Sequence, residues 1–318
     1  RRLNVRVATT AIPWYGWREQ LRLPAVMTAL DCDLWHVPNF NAPVRYRGPL
    51  VVTLHDLTPL RFPGPNQRRW WWRRAAYRGV LSAAVRHAKK IIAVSGTTAE
   101  EIVRRWPSAR DRVTVIFPGL APVFRPSEDY ATVKATLERY RIRQPYLFYT
   151  GVWRDHKNLP GLIAAFECLR DQLGFTGQLV LAGGHLGQDP AVSPALRGLP
   201  ADAVRLPGFI DEADLPRLFQ GAAVTVIPSF SEGFGLIGVE SLACGTPVAA
   251  SQTTSLPEVL GPAGRYFPPE QPRAMAETIG ALLKEKNRQA VLDAARWVLP
   301  RYRWETAARQ TLAVYRAA

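Results

Sequence analysis

The sequence is poor in the residues that build disulfide frameworks or membrane spans. Only three of its 318 residues are cysteines, Cys32, Cys168 and Cys244, and their odd number and wide spacing fit neither a disulfide framework nor a metal site. We interpret them as reduced packing residues. No run of eighteen apolar residues occurs, which argues against a transmembrane helix, and the N-terminus lacks the apolar core of a signal peptide. These absences predict a cytoplasmic protein.

Acidic residues are also scarce, since 26 aspartates and glutamates face 41 basic residues, a formal net charge of +15. Such an excess suits nucleic acid, an anionic membrane or phosphorylated substrates. Only six of the basic residues are lysines, and an arginine preference of this kind can also reflect codon usage. Charge alone therefore does not choose among the partners.

The chain is long enough for two domains of roughly 150 residues each. Short β-branched runs alternate with helical patterns, which predicts parallel sheets flanked by helices. In the first half the predicted helices are 17–30, 66–88 and 97–106, the last capped by Ser95 or Thr97. The predicted strands of that half are 3–9, 34–38, 50–56, 91–95 and 113–117.

Prolines crowd residues 118–126, as expected of an interdomain connection. A predicted helix at 129–140 is followed by a second series of strands at 146–151, 178–184, 204–209, 224–229 and 247–251. The pattern predicts an α/β protein with two doubly wound, Rossmann-like domains. We place the first domain at 1–124, the second at 125–300, and a C-terminal helix that crosses back to the first at 301–318.

The loop from Phe230 to Gly235 lies between a predicted strand and a predicted helix that starts near Leu236. Its glycines allow close backbone approach, and the helix start offers free N–H groups and a positive dipole end to an anion such as a diphosphate. Glu232 and Glu240 flank this turn with seven residues between them. Because one carboxylate can accept hydrogen bonds from two adjacent hydroxyls, a sugar at one end and a ribose at the other would suit the pair.

This segment, SEGFGLIGVESLACGTPVAAS at 231–251, resembles the signature of glycosyltransferase family 4, whose fold is the GT-B type. Residues 150–166, 179–184, 204–222, 253–264 and 302–315 also resemble family segments, in the family's order. The resemblance covers nearly all of 34–318 and implies two Rossmann-like domains that face a cleft.

The resemblance implies a role for each matching residue. Glu232 would contact the donor sugar and Glu240 the ribose, while Arg154 and Lys157 would neutralise the leaving diphosphate. His55, in the HDLTP segment, would hydrogen-bond the donor from the other domain. The remaining donor-binding residues would be Ser229 and Gly233, with the amides of Phe234, Gly235 and Leu236 on the diphosphate and Phe209 and Ile210 on the base.

Less specific interpretations of these residues remain open. The two glutamates could be solvated carboxylates favoured at a helix start by its dipole. Arg154 and Lys157 could be surface charges, and a lone histidine such as His55 is more often structural than catalytic.

As a family member the chain would be a retaining, metal-independent hexosyltransferase with no covalent nucleophile and no cofactor. We expect mannose from GDP-mannose as donor, and a saccharide or lipid-linked acceptor in cell-envelope polysaccharide synthesis. One alternative is a nucleotide-sugar-binding protein without turnover. Another is a basic nucleic-acid-binding module, which we do not expect because it leaves the paired glutamates unexplained.

Two segments depart from the family pattern or from ordinary composition. Family members open with a strand and a glycine-rich loop, and we predict that the first domain lacks both. Asp31–Cys32–Asp33 imitates a metal-binding aspartate pair, but it precedes a strand, and we interpret it as a loop.

Trp70, Trp71 and Trp72 are flanked by Arg68, Arg69, Arg73 and Arg74, a combination typical of an anionic membrane interface. Contact with the inner membrane face is one interpretation. In the alternative, a helix buries Trp70, Tyr77, Leu81 and Ala84 against a sheet. Since successive residues on a helix are about 100° apart, at least one tryptophan should be exposed in either case.

Overall fold

The computed structural model describes residues 7–13, 15–64, 71–127, 129–184 and 190–318. In the first half, four parallel strands form one sheet in the order β1-β2-β3-β4. These strands are Trp35–Val37, Leu50–Leu54, Lys90–Ala93 and Val113–Val115. Every residue of β2 is buried, as expected of a parallel strand covered on both faces.

Helices of the first half are α1 (Trp17–Ala29), α2 (Thr58–Arg61), α3 (Trp71–His87) and α4 (Gly96–Arg105). On α3, Tyr77, Leu81 and Ala84 are buried, as one of the two interpretations of this segment expects, while Trp71 is 80% exposed and Trp72 49%. Trp70 and the two preceding arginines lie outside the described residues. Ser95 is the cap of α4, because its Oγ accepts a hydrogen bond from the Thr98 amide at 3.1 Å.

The second half forms a six-stranded parallel sheet in the order β10-β9-β8-β5-β6-β7. The order reverses between β5 and β8, and in open sheets of this kind the ligand crevice lies outside the carboxyl ends of the strands at such a reversal. The elements are α5 (Tyr130–Arg139), β5 (Tyr146–Thr150), α6 (Leu159–Leu173), β6 (Gln178–Ala182), α7 (Val192–Ala195), β7 (Val204–Gly208), α8 (Leu215–Gly221), β8 (Val224–Ile227), α9 (Leu236–Ala243), β9 (Val248–Ser251), α10 (Leu256–Leu260), β10 (Gly264–Phe267), α11 (Pro272–Leu282) and α12 (Glu285–Val298).

A last helix, α13 (Trp304–Arg316), packs on the first sheet. Its Ala307 and Val314 join a buried cluster with Val51 and Ile92. The Tyr315 hydroxyl lies 2.6 Å from His36 Nδ1 on β1. The domain boundaries at 124 and 300 stay a prediction.

The structure corrects several expectations from the sequence. The strand predicted at 3–9 is wrong for residues 7–9, which adopt no regular structure, and its earlier part lies outside the described residues. Strand β10 was missed. Cys32 is exposed, so packing does not explain it, whereas Cys244 is buried and all three cysteines are free. Within the described ranges, no helix has the length and apolar character needed to cross a bilayer.

Candidate active site

The loops after β5 and β8 are fastened together at the point where the strand order reverses. Asn158 is buried in the left-handed conformation, with a φ of 54°, and its Nδ2 donates to the carbonyls of Pro228 (3.1 Å) and Pro269 (2.8 Å). The Phe230 amide donates to the carbonyl of His156 at 2.8 Å. Asn158 is a positioning residue that the sequence did not single out, although it follows the predicted Lys157 directly.

These fastened loops bring together Lys157, Ser229 and Glu232. The Lys157 ammonium donates to Glu232 Oε1 at 2.7 Å, and the Ser229 hydroxyl donates to the same oxygen at 2.6 Å. Ser229 is fully buried. No described residue donates to the second oxygen, Oε2, which leaves it available to a ligand.

The backbone of Glu232 is also fixed on both sides. Its amide donates to Thr254 Oγ1 at 2.9 Å, and its carbonyl accepts from Ser255 Oγ at 3.0 Å. The segment that precedes α10 therefore sets the position of this glutamate.

Helix α9 begins after Gly235, whose φ of +87° favours glycine. The Phe234 ring is buried against Phe117 and Tyr302. No described residue accepts a hydrogen bond from the amides of Phe234, Gly235 or Leu236. Such unpaired N–H groups, at the positive end of a helix dipole, form an anion site.

The first domain meets this loop through β2 and α2. A Cβ atom added at Gly233 would clash with the His55 carbonyl oxygen, so only glycine fits there. The His55 ring is exposed, and its Nε2 donates to the Pro38 carbonyl at 3.0 Å. Thr58 Oγ1 and Ser231 Oγ lie 2.9 Å apart in a buried contact.

His156 contributes a contact between the domains that the sequence did not predict. Its ring centroid lies 6.0 Å from that of Phe62, which in turn stacks on Phe230 with centroids 6.2 Å apart. Burial, reinforced by the neighbouring Lys157 ammonium, lowers the pKa of His156. The imidazole is therefore neutral near pH 7.

Glu240 lies half-buried on α9. Burial, reinforced by the nearby Glu212 carboxylate, raises the pKa of its carboxyl to about 7. No described residue donates a hydrogen bond to this carboxylate. Ionisation of this carboxyl costs free energy as long as no ligand donates hydrogen bonds to it.

The other predicted residues make fewer contacts. Phe209 follows β7 and is 74% exposed, while Ile210 packs partly buried against a cluster that includes residues of α5. Arg154 is exposed, and no ion pair joins it to a described residue. The structure thus brings Lys157 to Glu232 but leaves Arg154 outside that ion pair.

The sequence and the fold match those of known proteins. Residues 138–296 match the family model for glycosyl transferases group 1, and residues 3–123 match that for glycosyltransferase family 4. The chain belongs to this family of glycosyltransferases. A crystal structure of Anabaena HepE in complex with UDP and glucose aligns with a TM-score of 0.75 at 21% identity, covering 95% of this chain and 84% of that one, and the shared fold is GT-B.

Two curated relatives are similar over most of the chain. O-antigen chain mannosyltransferase B of Escherichia coli is 30% identical over 288 residues, which cover 89% of this chain and 74% of the relative. D-inositol 3-phosphate glycosyltransferase of Acidothermus cellulolyticus is 28% identical in an alignment that covers 94% of this chain and 69% of the relative.

Proposed function

We propose that this glycosyltransferase moves mannose from GDP-mannose to a saccharide or lipid-linked acceptor in cell-envelope polysaccharide synthesis, with retention of the anomeric configuration and without a metal. The observation that carries the proposal is the Glu232 carboxylate, held through Oε1 by Lys157 and Ser229 while Oε2 stays open. The name of the Escherichia coli relative supports mannose as the sugar.

In this proposal the donor spans the crevice from β7 to β2. Glu232 Oε2 accepts hydrogen bonds from the sugar hydroxyls, and the half-buried Glu240 accepts from the ribose. The base lies against Phe209 and Ile210. The unpaired amides of Phe234, Gly235 and Leu236 hold the diphosphate at the start of α9.

In this placement the diphosphate lies where positive groups can stabilise its negative charge. As the bond between the sugar and the diphosphate breaks, negative charge grows on the departing phosphate oxygens, and the Lys157 ammonium, the exposed Arg154 and the α9 dipole stabilise it. The acceptor hydroxyl attacks the anomeric carbon from the face that the diphosphate leaves, and its proton passes to a departing phosphate oxygen. His55 approaches the sugar from the first domain. No side chain of the protein needs to form a covalent intermediate.

We further propose that the start of α3 contacts an anionic membrane on the cytoplasmic side. Trp71 and Trp72 are 80% and 49% exposed, and the Arg73 guanidinium lies 5.1 Å from the centroid of the Trp72 ring. Exposed indole rings beside guanidinium groups suit the headgroup level of a bilayer that carries a lipid-linked acceptor.

A transfer assay tests the proposed reaction. The protein is incubated with GDP-mannose and methyl α-mannoside, and the product is followed by nuclear magnetic resonance. We expect an α-linked disaccharide from the wild type and none from Glu232→Ala. A β-linked product would overturn the retaining mechanism, and full activity in Glu232→Ala would overturn the site. GDP-mannose binding without transfer or hydrolysis would favour the binding protein without turnover.

A further inference from the structure

A carboxylate of the second domain caps a helix of the first. Glu258, on α10, accepts hydrogen bonds from the Gly96 amide at 2.6 Å and from the Thr97 amide at 3.0 Å. Its Oε2 also accepts from Thr97 Oγ1 at 3.1 Å. Three of the donors at the start of α4 thus depend on an acceptor that lies 161 or 162 residues further along the chain, although α4 already has its local cap in Ser95.

The capped end of α4 reaches the loop from Phe230 to Gly235, the donor loop, directly. Ser95 Oγ donates to the Gly233 carbonyl at 2.7 Å, and Thr98 Oγ1 donates to the same oxygen at 3.3 Å. Gly233 is the residue next to Glu232. Any movement of α4 away from the second domain therefore pulls on the loop that holds the proposed sugar-binding carboxylate.

A second path joins the same two places through Thr254. Its carbonyl accepts from Thr97 Oγ1 at 3.3 Å, and its Oγ1 accepts from the Glu232 amide at 2.9 Å. Thr254 has a φ of +48°, a strained conformation for a β-branched residue, which persists only where the surroundings impose it. The two paths form a closed ring of contacts through α4, the donor loop and Thr254, and Glu258 binds α4 beside this ring.

We propose that Glu258 is a positioning residue that couples closure of the two domains to the placement of Glu232. With its carboxylate on the start of α4, Glu258 holds that helix against the ring, and Glu232 stays where Lys157 and Ser229 meet it. Without that carboxylate, two amides lose their acceptor, and of the contacts named above only those of the Ser95, Thr97 and Thr98 hydroxyls still join α4 to the second domain. The consequence for sugar binding rests on the proposed function, whereas the coupling itself does not.

Residue-resolved amide hydrogen exchange tests the coupling without any ligand. In Glu258→Ala we expect the amides of Gly96 and Thr97 to exchange at least about tenfold faster, and the Glu232 amide to accelerate with them. Glu258→Gln keeps one carbonyl acceptor and should give a smaller acceleration at the same three amides, and it carries the comparison if the alanine variant fails to fold. The matched control is Glu277→Ala, because Glu277 is an exposed carboxylate paired with Arg273 on α11, and it should change none of them.

Calorimetry distinguishes a positioning role from a merely structural cap, because loss of a structural cap alone would not change the Kd for GDP-mannose. In Glu258→Ala we expect the Kd for GDP to stay within about twofold, since the start of α9 is unchanged, and the Kd for GDP-mannose to rise about tenfold. An unchanged exchange rate at the Glu232 amide in both Glu258 variants would overturn the coupling. If Glu232→Ala instead binds GDP-mannose like the wild type, the proposed function fails while the exchange result still decides the coupling.

Discussion

Lys157 Nζ and Glu232 Oε1 lie 2.7 Å apart, and their side chains are only 16% and 14% exposed. They come from loops 75 residues apart in sequence, which meet because β5 and β8 are neighbours in the sheet. Since little water reaches either charge, each depends on the other for most of its solvation. The pair therefore fixes the glutamate before any ligand arrives.

Removing Lys157 should lower the free energy of unfolding, because the Glu232 carboxylate loses its partner. Lys157→Met leaves the Glu232 carboxylate with Ser229 alone, and we expect the free energy of unfolding in urea to fall by about 1–3 kcal/mol. The double variant Lys157→Met/Glu232→Gln should recover part of this loss, because no unpaired charge remains. As a control, Arg273→Ala removes an exposed pair and should cost less than about 1 kcal/mol. A double variant that loses the sum of both single effects would argue against the pairing.

Close contact between the domains at the donor loop should require that residue 233 has no side chain. In Gly233→Ala the added methyl meets the His55 carbonyl and the Asp56 Cβ, so we expect a loss of about 1–3 kcal/mol in the free energy of unfolding. Gly79→Ala is the matched control, since its Cβ would meet nothing within 4 Å on α3 and should raise stability by about 0.5–1 kcal/mol. Equal effects of the two variants would mean that the domains do not meet as described.

Donor binding should depend on pH through Glu240. Its folded-state pKa of about 7 exceeds the ordinary value of 4.5, so its contribution to stability is complete below about pH 4.5 and is lost as pH rises through about 7. The ionised carboxylate is the better acceptor for two ribose hydroxyls. The Kd for GDP-mannose, measured by calorimetry, should therefore fall by up to about tenfold between pH 6 and 8.

Two variants check the assignment to Glu240. In Glu240→Gln the pH dependence should flatten, because the titrating group is gone. In Glu212→Gln it should remain but shift to lower pH, because the neighbouring charge that raises the pKa has been removed. If the wild-type pH dependence persists in Glu240→Gln, another group is responsible.

Membrane contact should require the exposed tryptophans of α3. Trp71→Ala/Trp72→Ala should co-sediment with vesicles rich in phosphatidylglycerol several-fold less than the wild type, because indole insertion and the adjacent guanidinium groups act together. Trp297→Ala is a suitable control, since Trp297 is 84% exposed on α12, a helix of the second half of the chain. Equal sedimentation of all three proteins would rule out this surface.

Features set by local periodicity could be predicted from the sequence. The burial of Tyr77, Leu81 and Ala84 follows from helical spacing, and the turn at Gly233 and Gly235 follows from backbone freedom. Strand β10 was missed because GRYF is short and lies among prolines and glycines, where the pattern of a strand is weak. The strand at 3–9 was predicted from an alternation of β-branched residues, but residues 7–9 adopt no regular structure.

Contacts between distant segments could not be predicted in the same way. Glu258 capping α4 and Asn158 bridging Pro228 to Pro269 depend on how two sheets and their loops meet, and local propensity carries no information about that. The sequence placed Arg154 and Lys157 in one role, yet only Lys157 pairs with Glu232, whereas Arg154 precedes the 3₁₀ turn Asp155–Lys157 and is exposed. The residue types in the sequence predicted basic groups near the Glu232 carboxylate, but the order of the strands determines which of them pairs with it.

The most direct measurement of the central claim is a calorimetric titration of GDP-mannose into the wild type, Glu232→Ala, Glu240→Ala and Glu277→Ala. If the donor spans the loop between β8 and α9, the Kd should rise at least about tenfold in each of the first two variants, while Glu277→Ala binds like the wild type. Wild-type affinity in both Glu232→Ala and Glu240→Ala would contradict the account.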